Sequence, residues 1–302
     1  IGITEYFLSS GSLMVHTEAY AGKIYFALNF AHNATGSVYA VVCVFLLVFY
    51  LKEKMTKPRI LFFILLLINL SALLITRSRA SYVGFFGVAI IVIWLHFKSI
   101  KKFSITIGAL VVVTVPILFL TGVYNRVIQA LDFGGGTTII RFYVWEKAWY
   151  LFSQSPIFGI GYGRFNDIFN IDIGLFNIER LRGYPGIFSI YMDQSYYFNS
   201  AHAHNSYLQF LAETGIVGLG LLLIFWTLCI VKILKAYNST KENFTSKVLL
   251  SSLSSILVLL ILSLFENYLS ATTVMISISA IVPISIGLYW EDYNKIDGRL
   301  LT

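Results

Sequence analysis

The chain has 302 residues, of which 57% are hydrophobic and only 12% charged, with a net charge of +7 at neutral pH. Soluble domains carry about 25% charged residues, so this composition excludes a chain solvated by water alone. The positive charge does not call for nucleic acid as a partner, because the basic residues cluster between apolar stretches in the manner of cytoplasmic loops.

A membrane span needs about 20 mostly apolar residues. Seven stretches qualify: His32–Leu51, Arg59–Thr76, Ala80–Phe97, Phe103–Gly122, Ser206–Val231, Lys247–Glu266 and Ala271–Trp290. Runs of this length satisfy their own backbone only as helices, whereas β-barrel strands are shorter and alternate. The predicted fold is therefore all-α, a polytopic transmembrane helical bundle forming one integral membrane domain over 1–302. Cys43 and Cys229 both lie inside apolar stretches, too few and too deep for a disulfide framework or a zinc site.

The connections set the orientation. Lys52, Lys54, Lys57 and Arg59 fill the first, Lys98, Lys101 and Lys102 the third, and Lys232, Lys235, Lys241 and Lys247 the one after the fifth span. Every second connection is basic, and those face the cytoplasm. The long segment 123–203 has six basic and six acidic residues, so alternation makes it a large extracytoplasmic loop with short helices. The turns at Arg77–Arg79 and Glu266–Ser270 fall on that same outer face. This topology puts Ile1 outside, and no basic region with an apolar core and a cleavage site precedes the first span. Further apolar spans upstream of Ile1 are the expected explanation.

Polar groups at the membrane edge are costly and therefore informative. Arg77 and Arg79 open the third span, where the helix N-terminus adds to their positive field; arginines snorkelling to head groups would look the same. Ser81, Gly84 and Gly87 follow at spacing three, which lets that helix pack closely on a neighbour. After Gly134–Gly136, Arg141-Phe142-Tyr143-Val144-Trp145 reads as the start of an amphipathic helix. Pro156, Gly159, Gly161 and Gly163 then mark a tight turn ending in Arg164, and no Gly-Lys-Ser/Thr follows to make it a P-loop. His202, His204 and Asn205 lead into the fifth span. A histidine there can serve as a general base or sit passively at the interface; no cysteine or carboxylate cluster accompanies the pair at ligand spacing, so no metal is expected. Glu213 lies about 13 Å further down that helix and needs a partner or a cavity. The loop aromatics, Tyr162, Phe165, Phe169, Tyr184, Phe188, Tyr191, Tyr196, Tyr197 and Phe198, suit either an interfacial belt or stacking on sugar faces.

These residues resemble a known family. His204-Asn205-Ser206-Tyr207-Leu208-Gln209-Phe210-Leu211-Ala212-Glu213-Thr214-Gly215-Ile216-Val217-Gly218 is similar to a signature of the bacterial O-antigen ligase and O-antigen polymerase superfamily. Ser78-Arg79 resembles a second. Arg141–Trp145 followed by Pro156-Ile157-Phe158-Gly159-Ile160-Gly161-Tyr162-Gly163-Arg164-Phe165 resembles a third, and His32–Gly36 echoes a fourth. The match runs from Phe30 to Tyr268, in order. The sequence departs from the simplest pattern in the long aromatic stretch Asn166–Ser200, which is expected to shape the acceptor site.

The resemblance implies a membrane glycosyltransferase of the bacterial cytoplasmic (inner) membrane, with its active face outward. The donor would be an undecaprenyl-diphosphate-linked oligosaccharide and the acceptor a glycan, lipid A–core or protein, with a polysaccharide chain-length regulator as a further partner and no cofactor. Arginine suits a diphosphate leaving group, which points to Arg79 and Arg141, with Arg77, Arg126 and Arg164 secondary. His204 would orient or deprotonate the acceptor hydroxyl; Asn205, Glu213 and Tyr162 complete the expected substrate-binding set. No Asp-x-Asp pair occurs in the chain, in keeping with a metal-free, lipid-linked donor. Polymerisation of repeat units for a surface polysaccharide such as O-antigen or capsule is the leading expectation, with ligation to lipid A–core or protein as the alternative. From another class, a transporter or flippase would also explain a buried Glu213 and an aromatic vestibule. Transporters place their sites near the midplane of repeated halves, and no repeat is visible here.

Overall fold

The structure, a computed structural model, describes residues 32–76, 78–120, 136–165, 202–241, 244–270 and 272–296. Arg77, Arg126 and the stretch Asn166–Ser200 lie outside the described residues.

Among the described residues all regular structure is helical. In chain order the helices are α1 (His32–Lys52), α2 (Thr56–Ile75), α3 (Arg79–Phe97), α4 (Ile100–Leu120), α5 (Gly136–Gln154), α6 (Ser206–Ser239), α7 (Phe244–Leu262) and α8 (Thr272–Ile296). Each expected span falls on one of them. Among the described residues five, namely α1, α2, α3, α6 and α7, are long and apolar enough to cross a membrane. Leu61, Ile64, Leu67 and Ile68 on α2, and Leu221, Ile224, Phe225 and Leu228 on α6, are exposed. In water such faces would be a liability; in a bilayer they are the lipid-facing surface. The protein is a multi-pass helical membrane protein.

The described residues divide into two compact units. The first draws on Ile1–Val127, Cys229–Leu262 and Ala271–Thr302, the second on Ile128–Leu228 and Ser263–Ser270. In the first unit, α1 packs on α2, α3 and α7, and α7 on α3 and α8. α7 is the most deeply buried of these, and its serines do not disrupt it because Ser252, Ser254 and Ser255 each return a hydroxyl hydrogen bond to the carbonyl four residues back, all at 2.8 Å. Small residues set the closest approaches, as the spacing of Ser81, Gly84 and Gly87 predicts. A Cβ on Gly84 would stand 3.0 Å from Leu262, and one on Gly36 only 2.6 Å from the Ser81 hydroxyl and 2.8 Å from Ser78 Cβ. The fourth and second signature-like motifs, His32–Gly36 and Ser78-Arg79, thus meet where α1 crosses the α2–α3 turn. At the opposite end of these helices Lys247 and Glu53 form an ion pair at 2.6 Å. The hydrogen bond from Lys247 holds the Glu53 carboxyl down at about 2.

The second unit has its own small core of Ala148, Leu151, Phe165, Ala203 and Ala212, with Tyr150, Ile160 and Leu208 packed against it. It joins α5, the glycine-bearing turn after it, the segment before α6 and the start of α6.

Candidate active site

α6 begins where it does because Asn205 caps it. The Asn205 side-chain oxygen accepts the backbone N–H groups of Tyr207 at 3.0 Å and Leu208 at 3.1 Å, satisfying donors that have no partner within the helix. One turn further on, Gln209 Oε1 accepts the N–H of Ala203 at 3.2 Å. His204 is held between these two ties with φ at +46°. Histidine tolerates that left-handed region better than most residues, yet it costs about 1–3 kcal/mol that neighbouring contacts must offset.

Ser206 ties this segment to the turn after α7. Its N–H donates to Ser263 O at 2.8 Å. Its hydroxyl donates to the carbonyl of Glu266 at 2.9 Å and accepts the N–H of Leu269 at 3.2 Å. The turn is thereby fixed two residues from His204, and the buried Glu266 carboxylate meets the His204 ring. His204 Nδ1 lies 3.0 Å from Oε1 and 2.9 Å from Oε2. Two other basic side chains approach the same carboxylate: His202 Nε2 at 3.8 Å and Arg141 Nη2 at 3.9 Å. At that distance Arg141 contributes charge without a hydrogen bond, so its forked donors are not spent on Glu266. Burial alone would raise the Glu266 carboxyl. The hydrogen bond and charge of His204, with the charges of His202 and Arg141, outweigh it and hold the carboxyl below its ordinary value. Burial, followed by the charge of His204, lowers the His202 ring, against the opposing pull of Glu266.

The hydrogen bonds assign the ring protons. A carboxylate only accepts, so His204 Nδ1 carries a proton, and in the neutral ring Nε2 keeps the lone pair. His202 Nδ1 accepts the backbone N–H of His204 at 3.2 Å, so its proton is on Nε2, the atom that faces Glu266. Ligand atoms of His202, His204 and Glu266 lie within 4.8 Å of one another, a spacing that could bracket a divalent ion. Ligation needs a bare ring nitrogen whose opposite N–H is donated elsewhere. As hydrogen-bonded here, His202 has the reverse arrangement. The expectation that no carboxylate accompanies the histidines is corrected here: Glu266 supplies one from 62 residues along the chain.

A second construction supports this cluster. α6 is broken at Gly215, whose φ of +66° and ψ of −167° are not helical. The break strands backbone groups on both sides, and the turn after α5 takes them up. Ala212 and Glu213 carbonyls accept the N–H groups of Ile160 at 3.1 Å and Gly161 at 2.9 Å, while Ile216 and Val217 donate to the carbonyls of Pro156 at 2.9 Å and Ile157 at 3.2 Å. The two backbones approach so closely that a Cβ on Gly159 would overlap the Glu213 carbonyl, and one on Gly215 the Ile157 carbonyl. The third signature-like motif and the His204–Gly218 motif are therefore interlocked through backbone atoms.

Glu213 has the partners that its depth calls for. Its buried carboxylate accepts from Gln209 Nε2 and from the N–H of Phe165, both at 3.2 Å. Asn205 spends its oxygen on the cap. Tyr162 and Arg164 are exposed on the turn, with the Tyr162 ring 5.9 Å from that of Phe210 and Arg164 Nη1 3.4 Å from Ile160 O. Arg141 and His204 belong to the second unit and Arg79 to the first. Sequence reasoning missed Glu266, Gln209, Ser206 and Lys147. Lys147 is buried with its amine 4.5 Å from the centre of the Phe165 ring, a cation–π contact, and desolvation lowers it to about 8. The one sequence signal for Glu266 was an acid ending an apolar run on the face predicted for His204.

A family model described as O-antigen ligase matches residues 64–223, just over half of the chain. No curated protein matches it.

Proposed function

Since the chain belongs to the O-antigen ligase family, we propose that it polymerises undecaprenyl-diphosphate-linked oligosaccharide repeat units of a surface polysaccharide. The protein is read as one integral membrane domain of the bacterial inner membrane, with 123–203 as its extracytoplasmic loop and the site on the outer side. The observation that carries the reading is the meeting of Arg141 and His204, residues 63 apart in the chain, at one buried carboxylate. It supplies a basic nitrogen for an acceptor hydroxyl beside a guanidinium for a leaving diphosphate.

In this mechanism the acceptor oxygen attacks the anomeric carbon of the donor and its proton passes to His204 Nε2. The anomeric C–O bond to the diphosphate breaks, and the electron pair leaves with the lipid diphosphate. Negative charge develops on the bridging oxygen, where the always-charged fork of Arg141 acts most strongly. Arg79 is proposed as a second diphosphate contact, with Arg77, Arg126, Arg164 and Tyr162 along the donor.

Reconstitution in liposomes with a purified undecaprenyl-diphosphate oligosaccharide tests the reading. A ladder of multiples, resolved by size, is expected. Transfer that appears only when lipid A–core or protein is added would replace polymerisation by ligation, and no transfer under any condition would favour transport.

The same assay addresses metal. Transfer should be unchanged in EDTA, because His204 Nδ1 is committed to Glu266 and His202 Nδ1 to the backbone N–H of His204. Activity that falls with chelation and returns with a divalent ion would overturn the metal-free proposal.

A further inference from the structure

We propose that Glu266 is the positioning residue of His204, fixing the ring so that Nε2 and not Nδ1 is the base, with His202 packed beside the same pair. The inference rests on the reading of His204 as the base for transfer.

Three features carry it. Both Glu266 oxygens lie within 3.0 Å of Nδ1, so either one fixes the tautomer. The carboxylate itself is held in place: its backbone is pinned by Ser206 on one side, through the Glu266 carbonyl and the Leu269 N–H. His202 cannot swing away freely, because its Nδ1 holds the backbone N–H of His204 itself, and the two rings stand edge to face with centroids 4.2 Å apart. The strained φ of His204 is what lets one residue direct its N–H at His202 and its ring at Glu266.

The arrangement has a chemical consequence. When Nε2 takes the acceptor proton, the ring becomes an imidazolium carrying two N–H groups. Glu266 already holds one of them and balances the new charge in a buried setting, where a charged partner counts for more than in water. Arg141, 3.9 Å from Oε1 of the carboxylate, helps keep Glu266 ionised without displacing His204. Glu266 touches neither substrate nor reacting atom; it acts through the histidine. The acid–histidine logic known from hydrolytic triads shows the scale, since misassigning the tautomer there lowers kcat about 10⁴-fold.

The test compares Glu266→Gln and Glu266→Asp in the membrane-embedded protein with the repeat-unit donor. Glu266→Gln should lower kcat by about 10²- to 10⁴-fold with little change in KM, because an amide can present its NH₂ to Nδ1 and drive the proton to Nε2. Glu266→Asp should recover part of the loss. An independent arm uses ¹⁵N-histidine NMR, with His204→Gln assigning the ring by difference. Wild type should show the proton of His204 on Nδ1, and Glu266→Gln should weaken or reverse that. A wild-type proton on Nε2 overturns the proposal whatever the transfer assay shows, as does kcat within about threefold of wild type in Glu266→Gln. If wild type transfers nothing to any acceptor, the glycosyltransferase reading falls instead, and the tautomer still decides the pairing.

Discussion

His204→Ala should reduce glycan transfer by about 10²- to 10⁴-fold, the usual worth of a positioned general base. Arg141→Ala should cost about 10²- to 10³-fold, the usual worth of one donor to developing negative charge. The two losses should not multiply in the double variant, because both groups act on one transition state and share Glu266. The readout is single-turnover transfer in liposomes. Membrane insertion should stay intact in both variants, checked by monodisperse elution from detergent. His204→Ala also strips the closest donor from a buried carboxylate, so His204→Gln, which keeps a donor near Glu266, separates chemistry from folding. Wild-type transfer in either the His204 or the Arg141 variant removes that residue from the mechanism.

The second large effect concerns stability. Gly215→Ala and Gly159→Ala should each cost several kcal/mol. A residue with a Cβ at a left-handed φ loses about 1–2 kcal/mol. The region Gly215 occupies, with its extended ψ, is used by glycine almost alone. Overpacking adds about 1–3 kcal/mol where the new atom meets backbone that cannot swing aside. Folded domains have only about 5–15 kcal/mol in hand, so expression and thermal stability in detergent should both collapse. Gly220→Ala is the internal control: it sits on the same helix, a Cβ there meets nothing within 4 Å, and its stability should equal or slightly exceed wild type. Gly215→Ala with an unaltered melting temperature would show that the break in α6 is not required.

The bundle was legible because long apolar runs permit only helices in lipid. The pattern of apolar and basic stretches set all the expected spans, and each lies on a helix. Helix ends were less legible. The sixth expected span was carried to Glu266, whereas α7 stops at Leu262 and gives way to the turn Ser263–Ser270. That small error hid Glu266, which reads as a span boundary when it is drawn on the helix. Its partnership with His204 is formed across 62 residues by the two hydrogen bonds of the Ser206 hydroxyl, and no local pattern encodes such a contact. The glycines were legible as a turn, but the reason for them was not. Only the break at Gly215 shows that Gly159 must admit a carbonyl from another segment. Glu213 was open between pairing and catalysis; Gln209, one turn earlier on the same face, was the available hint.

The interlock between the turn and α6 uses carbonyls and N–H groups alone. Sequence there is therefore constrained at the glycines and released between them, where Phe158 and Tyr162 project with exposures of 72% and 65%. Such a place can diversify at little cost to folding. Saturation mutagenesis read out by the fluorescence of a C-terminal reporter should return almost only glycine at 159 and 215, and a broad alphabet at 162. Residues on such a frame can be exchanged while the frame itself never has to be rebuilt.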